Sequence, residues 1–247
     1  MSSRHQEEQV RKYYQTLYAA WGPQHWWPAR TAFEVIVGAY LTQNTSWRNV
    51  EAALRNLRTA QALGLPVIRR IPLAELERLI RPAGYFRQKA ARLKTFVTLV
   101  DSRYRGSLSR MFMQSTEKLR QELLELNGVG PETADSILLY AGQQEVFVVD
   151  AYARRILDRH GILPERAGYE DIRLLLERAL SAPLIEQSTA PSELLPAHEP
   201  SPMSSLERSP LAQVYNDMHG LIVAVGKRYC RKSKPQCEGC PLQKFLP

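Results

Sequence analysis

Apolar residues recur along this chain at helical spacing. Val10, Tyr13, Tyr14, Leu17 and Tyr18 predict a helix over residues 7–20. Phe33, Ile36, Val37, Tyr40 and Leu41 predict another over 32–41, too apolar to face water, and Trp47, Val50, Leu54 and Leu57 open an amphipathic one. Further helices are expected over 73–80, 88–102 and 116–126, and Ala134, Ile137, Leu138 and Ala141 mark the buried face of the next. After a short apolar run, Val146 to Val149, the pattern is helical again from Ala151 to about Ala182. A closing helix from near Leu211 carries Val214, Met218, Ile222 and Val225. No stretch alternates for long enough to suggest a sheet, so the fold class is all-α. Residues 183–207 lack periodicity, are rich in Pro and Ser, and read as a mobile insertion.

Between two of these helices lies a tight turn. Ser115 is placed to cap the first helix, which carries Leu119, Leu123 and Leu126. Gly128-Val129-Gly130 makes the turn, and Pro131 takes a first helical position, where its missing N–H costs nothing. The unit is a helix–hairpin–helix. Its glycines let the backbone approach an anion, and the N–H groups at the start of the second helix suit a phosphate. An ordinary helical hairpin would look the same. Asp150, likewise, is first a cap for the helix beginning at Ala151. The loop WGPQHWWPART holds Trp21, Trp26 and Trp27, which either plug a junction between helical layers or form an aromatic wall for a flat ligand.

Composition narrows the field only a little. A chain of 247 residues can build one large or two modest domains, and a net charge of +8 suits a polyanionic partner. No segment has the apolar length to span a bilayer, and the first residues, MSSRHQEEQ, do not resemble a signal peptide; a cytoplasmic location is expected. Three cysteines, Cys230, Cys237 and Cys240, are an odd number for a disulfide framework, and their close spacing favours metal.

The motif LxGVGxxTA at 126–134, followed by the VVD helix start at 148–150, resembles the helix-hairpin-helix DNA glycosylase superfamily, which includes endonuclease III. The resemblance implies that the hairpin, through Gly128, Val129, Gly130 and Thr133, grips the DNA backbone and that Asp150 drives base excision. It also implies that Gln43 enters the duplex to fill the space of the extruded nucleotide. Tyr85, with Arg87, Lys89 and Arg92 beside it, matches the second DNA-probing loop, although for each cation taken singly a solvated basic face is the favoured reading. The C-x6-C-x2-C spacing is similar to the iron–sulfur loop of endonuclease III, which continues to a fourth cysteine where this chain has Leu246. A [4Fe-4S] cubane takes four thiolates, so three outcomes stay open: a non-cysteine fourth ligand, a labile cluster, or a loop without metal.

Two departures from endonuclease III narrow the implied activity. Glu132 stands where the bifunctional members carry the lysine that forms a Schiff base, and a carboxylate cannot form an imine. The stretches WWP at 26–28, LTQNTSW at 41–47 and GPETADSILLYA at 130–141 look like the 3-methyladenine branch, in which the positions of Trp26, Trp27, Pro28 and Trp47 line the base pocket. The expectation is therefore two helical domains with the active site in the cleft between them. Residues 32–145 would form a helical barrel with the hairpin, and residues 1–31 and 146–247 the second domain. The expected function is a monomeric, monofunctional glycosylase that removes an alkylated purine from double-stranded DNA. The alternatives are an endonuclease III-like glycosylase and lyase for oxidised pyrimidines, and a non-catalytic hairpin protein that only binds DNA.

Overall fold

A computed structural model describes residues 2–181 and 199–247. Among these residues the regular structure is helical throughout: α1 (Ser3–Trp21), α2 (Ala32–Thr42), α3 (Trp47–Thr59), α4 (Leu65–Arg70), α5 (Leu73–Ile80), α6 (Phe86–Tyr104), α7 (Leu108–Phe112), α8 (Thr116–Leu124), α9 (Pro131–Ser136), α10 (Ala151–Arg159), α11 (Tyr169–Ser181) and α12 (Pro210–Arg228). Short 3₁₀ turns cover Arg81–Ala83 and Gln243–Phe245, and α9 runs on as a π turn over Ile137–Ala141.

The chain divides into two compact units, one of residues 29–144 and one of residues 1–28 with 145–247. In the first, α2 is the axis. Every residue from Phe33 to Leu41 is buried, and α3, α6, α9 and the π turn pack around it. Thr31 starts this helix by accepting the Glu34 N–H at 3.1 Å. The one charge on α2, Glu34, is satisfied by Arg58 and by the Arg30 N–H at 3.2 Å, as a carboxylate at 2 % exposure must be.

In the second unit α12 plays the same part. Residues 214–226 are all buried, with α1, α10 and α11 packed on it. Ser209 caps it through the Ala212 N–H at 3.2 Å, and Pro210 opens its first turn. A helix buried on all sides is expected to be mostly apolar, so the buried polar residues of α12, Asn216, Asp217 and His219, carry information.

Three features differ from the sequence expectation. The helical stretch after Asp150 is interrupted at residues 160–168, where Gly161 turns the chain at a φ of 65° and Pro164 follows. The helices α4 and α7, of six and five residues, are too short to show a period. Of the expected mobile insertion, residues 183–198 lie outside the described residues, while the part from Ser201 is a built turn. There Ser204 Oγ accepts the Ser201 N–H at 2.8 Å, Met203 is buried, and Arg208 donates to the Met203 carbonyl at 2.9 Å.

Candidate functional site

The hairpin is held by polar side chains at both ends. Arg120 on α8 clamps Asp135 on α9 with bonds of 2.6 and 3.2 Å, and Asp135 is fully buried. At the turn, Gly128 has a φ of 78°, and a Cβ there would meet the Arg92 guanidinium at 2.0 Å. Only glycine fits. Gln43 spans from the end of α2 to this turn: its amide N–H groups donate to the Gly128 carbonyl at 2.9 Å and to Thr133 Oγ1 at 3.0 Å. Its oxygen accepts from Arg92 Nη1 at 2.9 Å. The side chain expected to enter the duplex is therefore bonded to the hairpin, and the exposed tip of its loop is Asn44, at a φ of 52°.

Val129 turns its side chain inward, at 6 % exposure, so what it offers a partner is backbone. Gly130 and Glu132 are exposed. The first N–H groups of the helix that begins at Pro131 have no intrahelical acceptor and carry its positive end. The other residue expected to probe DNA, Tyr85, is 66 % exposed at the start of α6, in a left-handed conformation with φ 45°. Arg87 beside it is exposed, but Lys89 is 1 % exposed and belongs to the core, which corrects the reading of these cations as one solvated face. A signal was available. Lys89 shares a helical stripe with Leu93, Phe96 and Val100, all buried.

In the other unit Asp150 caps α10: its Oδ1 accepts the Ala153 N–H at 2.8 Å. The second oxygen, Oδ2, lies 3.7 Å from Nε2 of His219 on α12. His219 is 4 % exposed, and burial pushes its pKa below the ordinary imidazole value, outweighing the pull of Asp150. Sequence reasoning did not assign His219, a lone imidazole on an apolar helix.

Trp26 and Trp27 are buried, at 7 % and 6 % exposure, and Pro28 is half-buried. The loop lies against α12 because Gly220 has no side chain; a Cβ there would come within 2.9 Å of the Gln24 Cβ and 3.2 Å of the Trp26 Cβ. His219 and the Lys227 ammonium flank the Trp26 ring, with centroid distances of 6.2 and 5.5 Å. These two tryptophans pack in the interior of their unit. Trp47, at the start of α3 in the other unit, is half-buried and donates its indole N–H to Glu51 at 2.9 Å.

The three cysteines border a small cavity of about 20 Å³ with Arg159, His160 and Leu246. Arginines organise the loop: Arg155 donates to the Cys230 carbonyl at 2.7 Å, and Arg159 to the carbonyls of Arg231 and Lys232 at 2.7 and 2.9 Å. Arg159 also points Nη1 at Cys230 Sγ, 3.3 Å away. Leu246 offers no donor atom, and among the described residues no group of three or more His, Cys, Asp or Glu is arranged to hold a metal ion. This donor set does not fit a four-thiolate cubane.

Residues 37–182 match the model of the HhH-GPD superfamily of base excision DNA repair proteins. A "putative DNA repair glycosylase" of Methanocaldococcus jannaschii is 41 % identical over 240 residues, which is 96 % of each chain. Endonuclease III of Thermotoga maritima is 27 % identical over 85 % of this chain and 80 % of its own. Among solved structures, that of Helicobacter pylori 3-methyladenine DNA glycosylase bound to 1,N6-ethenoadenine superposes with a TM-score of 0.71 at 29 % identity, covering 92 % of this chain and 98 % of that one. A trapped endonuclease III–DNA covalent intermediate gives 0.71 at 20 % identity, over 97 % and 95 %, and shares the fold.

Proposed function

The chain belongs to the HhH-GPD superfamily of base excision DNA repair proteins, and from that premise we propose that it is a monofunctional DNA glycosylase acting on alkylated purines in double-stranded DNA. The observation that carries the reading is Asp150, with one oxygen fixed by the α10 cap and the other beside a neutral histidine. A purine alkylated at N3 or N7 bears positive charge and leaves readily. As its bond to the sugar breaks, the electron pair goes to the base and oxocarbenium character develops at C1′. Asp150 stabilises that charge, and water attacks C1′, losing its proton to the carboxylate.

Glu132 supports hydrolysis rather than imine chemistry, since it replaces the amine a lyase needs. The branch assignment is supported by the likeness to the 3-methyladenine glycosylase of H. pylori and by the tryptophans. Trp47 is the more accessible ring and would meet the cationic base, each such contact being worth roughly 0.5 to 2 kcal/mol. The hairpin amides and the first turn after Pro131 would hold a backbone phosphate.

Excision and binding should separate on mutation. Asp150→Asn keeps the cap and removes the charge, so it should bind a duplex containing 3-methyladenine as the parent does and excise about 100-fold or more slowly. Excision at the parent rate would reduce Asp150 to a cap and end this reading. Borohydride should trap no covalent adduct with the parent; efficient trapping would instead restore the lyase alternative.

A further inference from the structure

The ammonium of Lys89, at 1 % exposure, donates to the carbonyl of Leu41 at 2.9 Å and to that of Ala83 at 2.8 Å. These two carbonyls come from different elements. The first lies in the last turn of α2, two residues before Gln43, and the second closes the 3₁₀ turn two residues before Tyr85. Lys89 itself sits one helical turn beyond Tyr85, its own N–H bonded to the Tyr85 carbonyl at 3.1 Å. Arg92, on the same side of α6, reaches Gln43.

An ammonium in a helical core is costly, and burial, with Arg92 nearby, pushes Lys89 down to about 8. A methionine would fill the same stem volume without that cost. What only the ammonium does is fix two carbonyls of separate segments at a set distance through directed N–H bonds. Both segments end in the side chains assigned to probing DNA.

We propose that Lys89 is a positioning residue for DNA engagement: by tying the Leu41 and Ala83 carbonyls together it makes the Gln43 loop and the Tyr85 loop meet a duplex as one surface. This rests on the reading that both loops contact DNA. Stabilising the core and coupling the loops are separable, because the first is measured by unfolding and the second by how losses at the two loops combine.

The experiment uses the full chain and a duplex carrying one tetrahydrofuran abasic-site analogue, with Kd from fluorescence anisotropy. In the parent, Gln43→Ala and Tyr85→Ala should each weaken binding, and the double variant should bind about tenfold more tightly than the product of the single losses requires, the mark of coupled sites. In a Lys89→Met background the same two losses should simply multiply. If that variant does not fold, Lys89→Gln, whose side chain is one atom too short to reach both carbonyls as the ammonium does, should show the coupling reduced. A Lys89 variant that melts earlier but keeps the full coupling overturns the proposal, and so do multiplicative losses in the parent. If neither single substitution weakens binding in the parent, the assignment of the loops to DNA fails and the proposal falls with it.

Discussion

The hairpin turn and the cysteine tail are built by the same device and end with different chemistry. In each, long polar side chains take up the carbonyls of a loop. Gln43, itself held by Arg92, does so at Gly128; Arg155 and Arg159 do so at Cys230, Arg231 and Lys232. What differs is the set of groups each loop presents. At the hairpin it is the N–H groups of a helix start, a donor set that invites an anion. At the tail it is three thiols around a cavity of about 20 Å³, with leucine where a fourth would be needed. Bracing gives a loop its shape, and the chemistry of the groups it presents sets the ligand it suits.

If the brace matters at the hairpin, removing it should be expensive. Asp135→Ala leaves the Arg120 guanidinium, itself only 16 % exposed, without its buried partner, and should cost about 3–5 kcal/mol, read from urea unfolding. A loss below about 1 kcal/mol would show that the hairpin stands on apolar packing alone. Gly128→Ala tests the turn more finely. It forces a left-handed alanine against Arg92 and should cost roughly 1–2 kcal/mol, with DNA affinity falling alongside.

A titration outside both loops supplies a control. Burial raises Asp217 from 3.8 to about 6, so between those values the folded state holds a proton that the unfolded state has released. Its contribution is therefore full at low pH and is lost as pH rises through about 6. Asp217→Asn should melt higher than the parent at pH 7, with the advantage shrinking toward pH 4, and DNA binding should not follow it. The smallest effect is expected at the tail. Purified anaerobically, the protein should contain little iron, and Cys240→Ser should change stability by less than about 1 kcal/mol, the range of ordinary substitutions on partly exposed loops. Brown protein with iron and sulfide in cubane ratio would instead give the tail a ligand.

Much of this architecture was legible in the sequence because long helices advertise their buried faces. The period of α2, α6 and α12, the Gly128 turn and the Asp150 cap are local properties of the chain. What stayed hidden depends on partners distant in sequence. Gln43 looked free to leave its loop because its acceptors lie 85 and 90 residues away. Lys89 looked solvated because Arg87 and Arg92 flank it, although its place on the Leu93 stripe spoke against that. The burial of Trp26 depends on a glycine in α12, which no pattern near the tryptophans reveals. The break after Arg159 was written in Gly161 and Pro164, whose weight the neighbouring apolar period outvoted.

Tyr85 holds a last consequence. It keeps a bulky side chain in a left-handed backbone, at a cost of roughly 1–2 kcal/mol, while the residue stays 66 % exposed to water. In a lineage selected only for heat resistance, this position would drift early to glycine or asparagine. A lineage that must search duplexes would retain the aromatic ring and compensate for its instability elsewhere.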